Sequence, residues 1–233
     1  DRPVLVFPEE SASYENLYAG ALKIAKSLHS MDVKRGDHVG ILMANSIEYV
    51  EVLFGAAFLG AIPVLYNGRF KAREISHATS DADIKVIVTS DQIDEHVDYG
   101  ELLQNALPGV ERQQYGKAKF KISDAPSLEA AVMLGGKQLS GFIDETTFIE
   151  LGDSRPDKIV TENLEMIRSE DPAVMFYTSG TTAMPKGCYL DHTVLQHAGA
   201  VGGVANLGLR EGDKVFAPLP MFHTAFSQPL SGV

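Results

Sequence analysis

Cysteine is almost absent from this 233-residue chain, long apolar runs are missing, and positive charge is in short supply. The single cysteine, Cys188, leaves no intramolecular disulfide to form and points to a reducing compartment such as the cytoplasm. Cys188 stands in a short apolar stretch with no His or Asn pairing motif beside it, so it is expected to be a buried structural thiol. No run reaches the ~18 apolar residues that a membrane span needs, and no signal-peptide pattern precedes the first elements. Twenty Lys and Arg against 31 Asp and Glu give a formal net charge of −11. That balance argues against a nucleic-acid partner and against an anionic membrane surface. Also missing are HExxH, Cys/His zinc spacing, an EF-hand loop and a G-x-S-x-G elbow, which removes the commonest metal-site and serine-hydrolase readings.

What is present is an alternation of strands and helices. Hydrophobic residues make up 45% of the chain, enough for a sizeable core. Ser13 is placed to cap a helix over 14–29, whose Leu17, Ala21, Ile24, Ala25 and Leu28 recur at helical spacing. Arg35-Gly36-Asp37 reads as a turn into a strand over 38–43. Asn45, with Glu48 three residues on, resembles a capping box opening a second helix that is apolar nearly all round and should be buried. A strand at 62–66, a helix at 72–79, a strand at 85–89 and a helix at 91–107 follow. Lys117, Lys119 and Lys121 alternate with apolar residues, which suggests an exposed edge strand over 113–126; a basic patch for a phosphate-bearing cofactor is the alternative. A strand at 128–134 and a charged surface stretch at 152–171 complete this part. The alternation predicts an α/β fold of mainly parallel strands with flanking helices.

The most informative stretch is 173–187, AVMFYTSGTTAMPKG. A short buried strand runs into Thr178, Ser179, Gly180, Thr181 and Thr182, with Pro185, Lys186 and Gly187 behind. Small residues let backbone N–H groups approach a polyanion as a nest, the hydroxyls add donors, and Lys186 adds a charge for a terminal phosphate. The spacing is not that of a Walker A loop. Beyond it, Asp191 can cap a helix to about 206 with His192 at its start, where the dipole disfavours a cation. A turn at 208–213 and a strand at 215–219 then lead into Pro-Leu-Pro-Met-Phe-His at 218–223.

The loop resembles YTSGTTxxPKG, the phosphate-binding signature of the adenylate-forming (AMP-binding) superfamily, which includes acyl-CoA synthetases and aryl-CoA ligases. Ala183 stands where that family usually carries glycine; at a position needing positive φ it would cost about 1 kcal/mol. The segment ending Phe222-His223 resembles the family's second fingerprint, an aromatic-histidine pair lining the carboxylate pocket. The first ninety or so residues resemble the N-terminal half of acyl-CoA synthetases, so the likeness covers nearly the whole chain.

The resemblance implies a partial N-terminal domain over 1–233, with a phosphate loop at 177–187, an acid-pocket segment at 218–227 and the C-terminal domain absent. It implies ATP-dependent activation of a carboxylic acid, a fatty acid in the first instance, to acyl-AMP, with transfer to coenzyme A and Mg²⁺ assisting. Thr178, Ser179, Gly180, Thr181, Thr182, Lys186 and Gly187 would bind the nucleotide, His223 would act on the acid, and Phe222 and Thr224 would border it. The chain starts at Asp1 and is expected to be a piece of a longer polypeptide, inactive alone. Transfer to a carrier protein, a non-catalytic nucleotide-binding module and a homologue that binds nothing remain as alternatives.

Overall fold

The computed structural model describes residues 2–93, 96–116, 120–178, 184–198, 201, 205–206 and 208–224. A small antiparallel ribbon, β1 (Pro3–Val6) and β2 (Ser11–Ser13), leads to α1 (Tyr14–Ser30). Ser13 caps α1 by accepting from Asn16 N at 3.1 Å, and the five apolar positions read from the spacing are all buried. The 34–37 turn is held by Asp37, whose Oδ2 accepts from Lys34 N and Lys85 Nζ, 2.8 Å each. It delivers β3 (His38–Leu42).

Helix α2 (Ile47–Phe58) is capped by Ser46, not Asn45: Ser46 Oγ accepts from Tyr49 N at 3.1 Å. Glu48 therefore falls one residue short of the position a capping box requires. Next come β4 (Ile62–Leu65), α3 (Ala72–Asp81) and β5 (Ile84–Ser90), close to the expected bounds. Helix α4 is only Tyr99–Ala106, opened by Asp98, which accepts from Glu101 N at 3.0 Å. It starts later than expected because the Asp91 carboxylate is committed elsewhere, accepting from Gly136 N (2.7 Å) and Lys137 N (3.0 Å).

The expected edge strand is not formed at 113–116 or 120–126; Lys117 and Lys119 lie outside the described residues. Phe120 and Ile122 are buried and Lys121 exposed, so the alternation is real but no ladder uses it. The neighbouring strand β6 (Ala130–Leu134) already pairs with β5 on one side and β7 (Ile143–Asp144) on the other. Two helices lacked a clear sequence signal: α5 (Glu145–Asp153), capped by Asp144, and α6 (Lys158–Met166). Each buries only one or two residues of its charged surface, so apolar periodicity is faint there. Strand β8 (Pro172–Thr178) is followed by β9 (Lys186–Asp191) and the short α7 (His192–His197), capped by Asp191.

The sheet order is β7-β6-β5-β3-β4-β8-β9, parallel throughout except for β9, which runs antiparallel to β8. Alternate residues feed two cores: Val39, Ile41, Val174 and Phe176 face one side, Leu42, Val64, Met175 and Tyr177 the other. Helices α1, α2 and α5 cover the first core, α3 and α4 the second. Right-handed crossovers explain the division, since connections running in opposite directions along a sheet put their helices on opposite faces. Strand β3 sends its helix to one face, and its neighbours β4 and β5 send theirs to the other. A crevice therefore opens at the carboxyl end of β3, the place where ligands bind in such sheets.

One carboxylate sits badly in this packing. A Cβ on Gly20 of α1 would lie 1.9 Å from Glu51 Oε1 of α2, so the two helices meet with the Glu51 carboxyl between them. Burial pushes the Glu51 carboxyl up to about 7, with Glu48, Glu145 and Glu10 adding to the rise and Lys23 opposing it. A carboxyl raised in the folded state binds more protons there than when unfolded, so stability falls as pH climbs from about 4.5 to about 7. After screening of a partly exposed group the penalty at pH 8 is about 1 kcal/mol. Glu51→Gln should therefore raise Tm by about 2–4 °C at pH 8 and leave it unchanged at pH 4.5; equal shifts at both would show that ionisation is not the cause.

Candidate active site

The parallel strands present their carboxyl ends along one edge, and the loops there gather the residues singled out from the sequence. Thr178 ends β8 and pairs with Lys186, the first residue of β9. The Thr178 hydroxyl donates to Lys186 O at 3.3 Å, and both residues are exposed. They are thus the two posts of a hairpin connection. Ser179, Gly180, Thr181, Thr182 and Ala183, within that connection, lie outside the described residues. Lys186 and Gly187 belong to a strand rather than to a loop, a departure from the expected phosphate loop at 177–187. The strand also brings Cys188 to the surface: it is exposed, not buried. Pairing with β8 alone leaves β9 as a sheet edge within the described residues.

Helix α3 ties down both ends of the connection. The Tyr177 hydroxyl lies 2.9 Å from Asp81 Oδ2 and 3.1 Å from Ala78 O, ahead of the loop. Behind it, His77 Nε2 donates to Pro185 O at 3.0 Å. Lys186 carries an ammonium with no carboxylate partner among the described residues. An exposed threonine and an exposed lysine paired across a tethered hairpin fit a phosphate-bearing ligand. Among the described residues no group of three His, Cys, Asp or Glu could hold a metal ion.

The second segment sits at the crevice. No strand forms over 215–219; Val215 is exposed and Phe216 is 90% exposed, with no partner strand beside them among the described residues. What places the segment is Asn45, three residues past the end of β3. Its Oδ1 accepts from Met221 N at 2.8 Å and its Nδ2 donates to Leu219 O at 3.0 Å. Met221 is buried, and His223 N closes a turn onto Pro220 O at 3.0 Å. Phe222 is half-buried, with His223 and Thr224 exposed beyond it. Residues 225–227 of the expected acid pocket lie outside the described residues.

An apolar cavity of about 480 Å³ adjoins Met221, walled by Leu53, Phe54 and Phe58 of α2 and by Val174 and Phe176 of β8. This explains why α2 is apolar nearly all round without being wholly buried: Leu53, Phe54 and Phe58 are half-exposed on the cavity side. His192 and Leu195 of α7 line it as well. Burial pushes the His192 imidazole below its ordinary range, against the pull of Asp171 and Asp191. The neutral form read from its place at a helix start therefore has desolvation as its main cause.

A model of the AMP-binding enzyme family matches residues 1–228. The chain belongs to that family. A putative acyl-CoA synthetase, YngI of Bacillus subtilis (strain 168), is 28% identical over 228 residues, covering 96% of this chain and 40% of that protein. A 2-succinylbenzoate–CoA ligase of Bacillus cereus (strain Q1) is 28% identical over 224 residues, covering 96% and 36%. Among solved structures, the anthranilate CoA ligase AuaEII in complex with anthranoyl-AMP matches with a TM-score of 0.76 at 25% identity, over 95% of this chain and 38% of that one. The inhibitor-bound N-terminal domain of FACL13 from Mycobacterium tuberculosis matches with a TM-score of 0.71 at 26% identity, over 96% and 48%. The chain thus spans about 40% of the length of these curated relatives.

Sequence reasoning missed Asn45, Gly68, His77 and Asp81 as parts of this edge. The sequence reads Asn45 as a helix cap instead, and Gly68 stands second in an Asn-Gly pair. A Cβ there would lie 2.6 Å from the Tyr99 hydroxyl and 3.2 Å from Phe222 Cε1. Tyr99 is buried and cannot give way cheaply. Gly68→Ala should destabilise the protein by about 1–3 kcal/mol. A fall in Tm of about 2–12 °C would report it, and an unchanged Tm would mean that the two rings are less fixed than they stand.

Proposed function

We propose that this chain supplies the phosphate-binding and acid-binding edge of an AMP-forming acid–thiol ligase. The observation that carries the reading is the tethered hairpin, with Thr178 and the exposed Lys186 as its posts, on the same sheet edge as Phe222 and His223. The family match and the named relatives, acyl-CoA and aryl-CoA ligases, support it. In this reading a carboxylate oxygen forms a bond to the α-phosphorus of ATP while the bond to the β-phosphate breaks and pyrophosphate leaves. The sulfur of coenzyme A then bonds to the acyl carbon and AMP departs. Both reactants of the first step are anions, so the protein's contribution is positioning and charge neutralisation.

Thr178, Ser179, Gly180, Thr181, Thr182, Lys186 and Gly187 are assigned to the β- and γ-phosphates, with Mg²⁺ held alongside them. His223 is assigned to hydrogen-bond the acid, with Phe222 and Thr224 at its border. The acid is of an apolar class, fatty or aryl; an aryl acid is favoured by the relatives that carry 2-succinylbenzoate and anthranilate in their names. Coenzyme A is the acceptor in preference to a carrier protein on the same ground, and the acidic charge balance argues against a nucleic acid or an anionic membrane surface as a partner. No helix among the described residues is long and apolar enough to cross a membrane, and a cytoplasmic setting agrees with the single cysteine.

The test is acid-dependent exchange of labelled pyrophosphate into ATP by the complete polypeptide containing this chain. Exchange should require one acid class; ATP binding without exchange for any acid would leave a nucleotide-binding module instead. In the same assay Lys186→Ala should raise the KM for pyrophosphate and ATP by about ten- to a hundredfold, the equivalent of one charge-assisted hydrogen bond. Its Tm should hold, because the side chain is exposed. Unchanged KM values would remove Lys186 from the nucleotide site.

A further inference from the structure

Asn45 is a candidate cap that does no capping. Ser46 performs that task for α2, which leaves the Asn45 amide free of any helix duty. Both halves of the amide are nonetheless committed, one as acceptor from Met221 N at 2.8 Å and one as donor to Leu219 O at 3.0 Å, across separations of 176 and 174 residues. The side chain thereby meets the backbone as a neighbouring strand would, at a point where the segment pairs with no strand among the described residues. The orientation of the amide is fixed, because its two partners are of opposite type. Between the two bonds lies Pro220, whose carbonyl accepts from His223 N and so sets the turn that presents Phe222 and His223. Met221 is anchored twice, by its side chain in the core and by its N–H on Asn45.

We propose that Asn45 is the positioning residue of the acid-binding segment, so that acid selection depends on a side chain at the carboxyl end of β3. The assignment rests on the adenylation reading above. Asn45 is itself exposed, and its hydrogen bonds compete with water, so they add little to global stability. Their consequence is local: they choose where Phe222 and His223 stand over the crevice. Aspartate could keep the acceptor half of the pair but would set a carboxylate against Leu219 O. Alanine would keep neither.

The experiment uses the complete polypeptide, with Asn45→Ala, Asn45→Asp and Ser46→Ala compared in acid-dependent pyrophosphate exchange and in amide hydrogen exchange. Asn45→Ala should raise the KM for the acid about tenfold while the KM for ATP stays within about twofold and Tm is nearly unchanged. Asn45→Asp should move in the same direction. Ser46→Ala, which removes a true cap, should lower Tm and leave the KM for the acid alone. Hydrogen exchange at Met221 and His223 should quicken about tenfold in Asn45→Ala, with α2 still protected. An unchanged KM for the acid, or acid and ATP parameters falling together with Tm, would overturn the proposal. Wild-type protein that exchanges pyrophosphate with no acid would fail the adenylation reading instead. The positioning claim would then be decided by hydrogen exchange, where equal protection in wild type and Asn45→Ala defeats it.

Discussion

A parallel sheet buried on both faces imposes its terms on everything around it. Six parallel strands need covering on each side, and each crossover must be right-handed, so the direction in which the chain moves along the sheet decides which face its helix covers. The chain leaves β3 towards β4, then doubles back past β3 to reach β5 and β6. That reversal puts α2 on one face and α3 and α4 on the other. It also parts the loops at the carboxyl end of β3. The crevice is a consequence of topology, and the functional residues are those that the surrounding loops can deliver to it.

Two different devices hold those residues in place. The hairpin after β8 is covalently continuous with the sheet and is tied to α3 at Tyr177 and Pro185. The 218–223 segment comes from distant sequence and has no strand to join. Among the described residues, a buried methionine and one bidentate amide hold it. A ligand that bridges the two must therefore connect a part fixed by the sheet with a part fixed by a few side-chain bonds. Phosphate recognition can be uniform across a family with a fixed hairpin, whereas a segment held by single side chains can be re-aimed by single substitutions. The division suits an enzyme class that keeps one nucleotide and varies its acid.

Much of this was legible in the sequence, for identifiable reasons. β3, β4, β5 and β8 read correctly because strands buried on both faces are continuous apolar runs bounded by turn residues. Helix α1 read correctly because its stripe is narrow and its cap is unambiguous. The signature residues from Thr178 to Gly187 gave the family, which the family match bears out. What was not legible lies in competition between partners. Asn45 and Ser46 are both good caps, and only the three-dimensional position of Met221 decides which one is free. Asp91 could have opened a helix, but the bare N–H groups of Gly136 and Lys137 took its carboxylate. Over 120–122 the alternation had the right faces, but the strand that follows it, β6, was already paired on both sides.

Cys188 shows the same limit from another direction. Its neighbours Tyr189 and Leu190 make the stretch apolar, and an apolar stretch behind a buried strand suggests burial. Yet β9 turns back along β8 as an antiparallel hairpin, and a strand at the sheet edge exposes residues that a central strand would bury. Composition reports how much apolar surface a segment has; only pairing decides how much of it is covered. The connection between β8 and β9 shares this origin. It lies between a strand buried at its centre and a largely exposed one, so one post ends a strand fixed by the core and the other carries its lysine into solvent. That asymmetry lets the sheet carry a lysine at its edge without burying the charge, which would cost more than a surface ammonium can recover.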